Sequence, residues 1–312
     1  MSLPPLLQGL SLPLIGSPMF IISRPALVIA QCRAGIVGAF PSLNARPSGA
    51  FELWLQELQS TLTDQAAPFA VNLIVHRSNP RLDEDLALCV RYRVPIVLTS
   101  LGAREDVNAA IHSYGGVVLH DVIDNRFARK AIEKGADGLI AVAAGAGGHA
   151  GTQSPFALIE EIRAWFDGPL ALSGAIATGR SIAAAQAAGA DLAYAGSAFI
   201  ATQEADASEA YKQAIVHGSA ADIVYSDLFT GVHGNYLRPS ILAAGLDPDN
   251  LPSSDPTAMD FGSLGGDKKA WRDIWGCGQG IGAIHEILPA AALIARLRSE
   301  YDNALARLCA AR

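Results

Sequence analysis

One histidine in this chain stands in a loop built almost wholly of glycine and alanine. Residues 144–151 read Ala-Gly-Ala-Gly-Gly-His-Ala-Gly, and the histidine is His149. Such a loop lets backbone N–H groups approach a planar or anionic ligand closely, with an imidazole held over it. Histidine titrates near neutral pH, so the chemistry on offer is proton transfer. The blander alternative is a flexible loop with an incidental surface histidine. Two further segments pair a glycine with a hydroxyl: Ser173-Gly174-Ala175 and Gly196-Ser197. Either they are tight turns, or their backbone N–H groups hold the phosphate of a cofactor. His120-Asp121 follows the apolar run Val117–Leu119. His120 could neutralise the negative edge of a cofactor ring or its phosphate, or be a satisfied rim histidine. Asn72 lies inside the apolar run FAVNLIVH and must hydrogen-bond to something, a ligand being one candidate. His76 ends that run.

These groups need elements that bring them together. Eight short runs, Leu14–Phe20, Gly35–Phe40, Phe69–Val75, Ile96–Ser100, Val117–Val122, Gly138–Ala144, Leu170–Ile176 and Leu192–Phe199, are near-continuously apolar. That is the pattern of strands covered on both faces. Helix-length segments separate them. In Ser154–Phe166, Ser154 is placed as N-cap and Pro155 at N1, with apolar residues at helical spacing. Gly35, Gly115, Gly135 and Gly189 each close a helical pattern before a strand. The near-repeat of EKGADGLIAV and AAGADLAYAG fits successive β/α units. Eight such units predict an α/β fold, a (β/α)₈ TIM barrel, rather than an open sheet, with the active site at the C-terminal ends of the strands. Every candidate residue above falls at or near such an end.

Residues 1–218 are therefore expected to form the barrel, with Ala207–His217 as its last helix. Residues 219–312 are expected to be a C-terminal excursion packed on the same domain, with a Gly/Pro/Asp/Ser-rich stretch to 269, a lid segment and a closing helix near Ile287–Leu308. No second core is visible.

Composition narrows the classes of function. The 312 residues carry 23 Lys and Arg against 30 Asp and Glu, a net charge of −7, with no basic block. Nucleic acid and anionic membranes are poor partners for such a chain. Mean hydropathy is +0.26, yet no apolar run reaches the ~18 residues of a membrane span. The N-terminus lacks a basic n-region and is broken by prolines, so it does not read as a signal peptide. Cys32, Cys89, Cys277 and Cys309 are far apart, which suits reduced thiols in a cytoplasm rather than a zinc or disulfide scaffold.

Other chemistries lack their residues. Gly145–Ala150 and Gly278–Ala283 formally match G-x-G-x-x-A, but the first lacks a prompt helix and a downstream acid, and the second lacks a preceding buried strand. Neither reads as a dinucleotide fingerprint. None of the five lysines lies at a strand end, and no HExxH, DxD or paired carboxylates sit on the expected mouth, which reads as nearly free of acids. A mouth of glycine loops and histidines needs an organic cofactor to supply the chemistry.

Ser17-Pro18-Met19, Val71-Asn72, Gly147–Gly151 as GGHAG, Ser173-Gly174-Ala175, Ala195-Gly196-Ser197 and the late GxGQGIG around Gln279 occur in that order. Together they resemble the nitronate monooxygenase family, formerly 2-nitropropane dioxygenases, over nearly the whole chain. The resemblance implies an FMN-dependent TIM barrel with an extra helical region. On it, Pro18, Met19 and Phe20 lie along the isoalloxazine, Asn72 meets the ring's polar edge, and Gly148 admits the flavin. Ser173, Gly174, Ala175, Gly196 and Ser197 hold the phosphate. His149 matches the family's active-site histidine, Gln279 lies near the flavin in a lid, and His120 stands where many relatives carry lysine. The expected activity is oxidation of alkyl nitronates or nitroalkanes with dioxygen. FMN reductases of quinones or enoyl thioesters, using NAD(P)H, share the GGHxG barrel and are the alternative; a flavin-binding or sensing barrel without turnover is the non-enzymatic one. The chain departs from the best-characterised monooxygenases in its first loop, Ser-Pro-Met-Phe-Ile-Ile-Ser rather than a Gln-Gly-Gly-Met type, and in the segment before Trp271.

Overall fold

The computed structural model describes residues 3–47, 49–254 and 273–310. Eight parallel strands form a TIM barrel: β1 (Leu14–Gly16), β2 (Gly38–Pro41), β3 (Phe69–Ile74), β4 (Ile96–Ser100), β5 (Val117–Val122), β6 (Gly138–Val142), β8 (Leu170–Ser173) and β9 (Leu192–Ala195). The two-residue strand β7 (Gly148–His149) belongs to a separate sheet. The order β1-β9-β8-β6-β5-β4-β3-β2 is closed by a parallel bridge between Ile15 and Val37. All eight runs expected as strands are present. Alternate residues explain why each reads as continuously apolar: in β4, Ile96 and Leu98 join the inner cluster while Val97 joins the shell under the helices. Each such side chain, fully buried, stabilises the fold by roughly 1.5–3 kcal/mol. The apolar N-terminus has a related use, since Leu7, with Leu3, Leu6 and Leu10 against it, packs into the inner cluster.

Strands β1, β8 and β9 end three or four residues before their apolar runs, and the backbone gives the reason. Pro18 has no N–H to continue a ladder beyond β1. After β8, Gly174 and Ala175 take φ of +142° and +54°. After β9, the chain turns at once into α8 (Ser197–Ile200). The freed residues are the ones that line the mouth.

The outer layer contains α1 (Pro25–Arg33), α2 (Ala50–Thr61), α3 (Leu82–Arg91), α4 (Glu105–His112), α5 (Asn125–Glu133), α6 (Pro155–Arg163) and α7 (Gly179–Ala187). Gly35, Gly115, Gly135 and Gly189 all adopt positive φ at the helix exits. Ser154 occupies the N-cap of α6, but its side chain makes no capping bond.

The last barrel helix is corrected. The segment expected to fill that role is α9 (Glu209–His217), but Tyr211 on it lines the barrel mouth. The C-terminal helix α11 (Ala290–Ala310) packs instead against α7 and α1, the slot an eighth barrel helix takes. A Cβ on Gly179 would sit 2.2 Å from Leu297 O and Tyr301 N, so the α7–α11 crossing requires glycine there. Gly179 N donates to Glu300 Oε2 at 2.8 Å, tying the first turn of α7 to α11. The long segment from 201 to 289 is thus inserted into the eighth β/α unit.

The described part of that insertion reaches the mouth. Strands β10 (Ile223–Ser226) and β11 (Gly234–Leu237) pair antiparallel, and β11 pairs with β7. The short helix α10 (Arg238–Ala243) follows. Tyr236, Ile241 and Ile274 form a small buried cluster of their own, a satellite core that the sequence did not suggest. Residues 255–272, including Trp271 and the rest of the expected excursion, lie outside the described residues.

Candidate functional site

A cavity of about 940 Å³ opens at the C-terminal ends of the strands. Pro18, Met19, Phe20, Asn72, His120, Gly148, His149, Ser173, Gly196 and Ser197 all line it. They come from the ends of β1, β3, β5, β8 and β9 and from β7, so the barrel gathers residues that are far apart in sequence. Three expected residues do not line the cavity. Gly174 and Ala175 sit behind its wall, where Ala175 N donates to Gly145 O at 3.2 Å. Gln279 is exposed, and its backbone N donates to the same Gly145 oxygen at 2.9 Å. Gln279 is thus not among the cavity's lining residues, and its segment braces the glycine loop through Gly145. Ser197 Oγ accepts from Gly278 N at 2.8 Å, which anchors that segment to the start of α8.

The glycine loop is held in place from the insertion. Gly148 and His149 pair with Asn235 and Gly234 in β11. Asn235 Nδ2 donates to Ala146 O at 2.6 Å, Ala150 N to His233 O at 3.2 Å, and Tyr225 OH to Ala150 O at 2.9 Å. A Cβ on Gly234 would lie 2.7 Å from Gly148 O, so only glycine allows this approach. A Cβ on Gly148 would meet no protein atom within 4 Å, leaving open space above that α-carbon.

His149 Nε2 lies 3.0 Å from Thr230 Oγ1. Thr230 Oγ1 also donates to Val232 O at 2.9 Å. Burial pushes the His149 pKa down to about 4, so the ring is neutral near pH 7. His120 is likewise lowered to about 4 by burial, and its Nδ1 lies 2.6 Å from Thr99 Oγ1. The ring is neutral, which answers whether it carries the charge of a lysine at that place: it does not.

The mouth is not free of acid. Asp121 lines it beside His120, and Asp206 lines it while paired with Arg24 at 2.6 Å. Burial raises the Asp121 pKa to about 6, although the Ser100 hydroxyl, donating to its Oδ2 at 2.6 Å, opposes the shift. Asn72 Nδ2 donates both to Leu98 O at 3.0 Å and to Ser100 Oγ at 2.8 Å. The buried polar strand residue is therefore partnered within the protein, through a row of strand-end groups. Lys130 on α5 lines the cavity, as do Ile123 and Phe127, which are 41% and 40% exposed.

Tyr225, Thr230, His233 and Trp275 complete the site, and sequence reading had passed over them. Tyr225 stacks on His233 with centroids 5.1 Å apart, and Trp275 on Tyr211 at 4.9 Å. Only the aromatic content of an otherwise polar segment hinted at a roof. Among the described residues no group of three or more His, Cys, Asp or Glu side chains could hold a metal ion, and no helix is long and apolar enough to cross a membrane.

Comparison with known proteins agrees with this architecture. The family model for nitronate monooxygenase matches residues 81–300. A nitronate monooxygenase of Paraburkholderia phytofirmans is 28% identical, the match covering 97% of this chain and 95% of that protein. A (3aS,4S,5R,7aS)-5-hydroxy-7a-methyl-1-oxo-octahydro-1H-indene-4-carboxyl-CoA dehydrogenase of Rhodococcus jostii is 27% identical over 76% of this chain and 65% of its own length. The solved nitroalkane oxidase of Streptomyces ansochromogenes superposes with a TM-score of 0.82 at 26% identity, covering 95% of this chain and 97% of that one.

Proposed function

This chain belongs to the nitronate monooxygenase family, and from that premise we propose that it is an FMN-dependent oxidoreductase that oxidises alkyl nitronates or nitroalkanes with dioxygen. One observation carries the reading: a neutral imidazole, His149, stands on a glycine-walled cavity of about 940 Å³ at the mouth of the barrel. That volume lies within the roughly 300–1,000 Å³ of small-molecule and cofactor sites.

The residues fit a flavin. Open space above Gly148 accepts a flat ring without a side chain in the way. Asn72 offers a polar atom to its edge, and Met19 and Phe20 give it an apolar bed. Ser173, Gly196 and Ser197 form a small-polar end suited to a phosphate, with Gly174 and Ala175 shaping the turn behind. When bound, FMN would supply the two-electron redox chemistry that the side chains lack.

The chain's own contribution is proton handling. The Thr230 proton is committed to Val232 O, so His149 donates to it from Nε2. The neutral ring takes the carbon-bound proton of a nitroalkane, and the resulting imidazolium stabilises the nitronate anion. A preformed nitronate needs only the second role. Tyr225, His233 and Trp275 line the cavity from the side of the insertion. The free thiols of Cys32, Cys89 and Cys277, all buried, suit a reducing cytoplasm.

A second reading has its own support. Lys130 lines the cavity together with the exposed Ile123 and Phe127, and one relative acts on a CoA thioester. An NAD(P)H-dependent reductase of enoyl thioesters or quinones would use the same barrel. The deciding experiment is anaerobic mixing of the yellow protein with NADH, NADPH or a nitronate while the flavin absorbance is followed. Bleaching by the nitronate is expected; rapid bleaching by a pyridine nucleotide alone would reverse the assignment. Colourless protein that takes up no added FMN would sink both, and yellow protein that none of the three bleaches would leave a flavin-binding barrel without turnover.

A further inference from the structure

The first loop of the mouth, residues 17–23, holds an isoleucine in a conformation that isoleucine avoids. Ile21 has a φ of +69°, and a β-branched residue there is an outlier that persists only where its surroundings impose it. The constraint comes from Asn44, in the 3₁₀ turn Ser42–Asn44 that follows β2. Ile21 N donates to Asn44 Oδ1 at 2.8 Å. Asn44 Nδ2 donates to Met19 O at 3.0 Å and to Ser23 O at 2.8 Å. A carbonyl only accepts and a backbone N–H only donates, so the amide has one orientation and spends all three bonds on this loop. The loop also bonds to itself: Ser23 N donates to Met19 O at 3.0 Å, and Met19 N to Ser23 Oγ at 2.9 Å. Those bonds join the ends of the turn, whereas the bond at Ile21 itself is made by Asn44. Met19, Phe20, Ile21 and Ile22 line the cavity. Met19 Sδ lies 3.5 Å from where a Cβ on Gly196 would stand, so the loop's position is felt at the small-polar end too.

We propose that Asn44 is a positioning residue for the cofactor: its amide holds Ile21 left-handed and so keeps Met19 and Phe20 where the ring lies against them. The inference rests on the flavin reading above. With Asn44 in place, the unfavourable backbone state of Ile21 is settled when the chain folds. Without it, residue 21 relaxes in the flavin-free protein, and binding has to restore the left-handed state at the expense of affinity. Glycine enters that state almost freely. The need for Asn44 therefore depends on which residue stands at 21, a dependence that a residue merely stabilising the fold would not show.

The test is a cycle of wild type, Asn44→Ala, Ile21→Gly and the double variant. Apo-protein is prepared from each purified protein, and Kd for FMN is read from flavin fluorescence quenching, with circular dichroism checking each fold. Asn44→Ala should weaken FMN binding about tenfold when isoleucine stands at 21, the equilibrium worth of one left-handed non-glycine residue. When glycine stands there, the same substitution should weaken it about twofold or less. Whatever the Ile21 side chain itself contributes to binding is missing from both glycine proteins and cancels in their ratio. Asn44→Ser, which also loses the amide, runs the same cycle if the alanine variant does not fold. Folded Asn44→Ala with the wild-type Kd, or an equal loss in both backgrounds, overturns the inference and leaves the flavin reading intact. Wild-type protein that binds no FMN overturns the flavin reading and this inference with it.

Discussion

Thr230 Oγ1 sits 3.0 Å from His149 Nε2, although 81 positions separate the two residues in the chain. The candidate base is thus oriented by the insertion over the barrel and not by the barrel. Thr230→Val keeps the side-chain shape and removes the hydroxyl. It should lower kcat for a neutral nitroalkane by about tenfold, one hydrogen bond's worth, while Thr230→Ser restores most of it. A Val variant with wild-type kcat and an unchanged pH profile would exclude the positioning role.

His149→Ala removes the imidazole from a loop whose backbone is held by β11 rather than by that side chain. FMN content and thermal midpoint should stay close to wild type. Turnover of a neutral nitroalkane should fall by about 10²–10⁴-fold, the usual worth of a positioned general base. A preformed nitronate should suffer less, because its carbon is already deprotonated. Loss of FMN or of the fold would make the histidine structural.

Gly148→Ala separates strain from occlusion. The position has φ of +67° and open space around a would-be Cβ. The backbone penalty alone is about 1–2 kcal/mol, readable by urea unfolding of apo-protein. FMN affinity should fall well beyond that, because the methyl group stands where the ring would lie. Unchanged flavin affinity would remove Gly148 from the cofactor cradle.

The buried histidines set an acid limit. Burial lowers His120 and His149 to about 4, against about 6.5 in the unfolded chain. Between those values the unfolded chain holds more protons, so apo-protein should lose stability as pH falls from about 6.5 towards 4. Asp121, raised to about 6, works in the opposite direction between about 4 and 6. Two histidines outweigh one carboxyl, so the urea midpoint should still drop on acidification. His120→Gln should flatten the profile. A midpoint that rises on acidification would contradict the buried neutral state.

The barrel was legible because its strands are covered on both faces, and Ile96–Val97–Leu98 is as apolar towards the centre as towards the helices. The site loops were legible because glycine, serine and histidine interrupt those runs at strand ends. Gln279 misled for a related reason: its glycine neighbours signal close backbone packing, and that packing is against Gly145, away from the cavity. Thr230 and Tyr225 left no local signal, since their contacts to the glycine loop span 81 and 75 positions. The role of α11 was hidden likewise. Apolar residues at helical spacing predict a helix near Ile287–Leu308, but no periodicity says that it takes the place between α7 and α1 expected of Ala207–His217.

That placement has a temporal consequence. The eighth helix of the ring is made long after its strand, which ends at Ala195. At about 5–20 residues per second, the roughly 115 residues from there to the end of α11 take about 6–23 s to synthesise. Throughout that interval the neighbouring flanks of α1 and α7 have no cover, and the residues that will meet Leu293, Ile294 and Leu297 stay wet. The ring therefore cannot close until Leu293, Ile294 and Leu297 have been made and have left the ribosome.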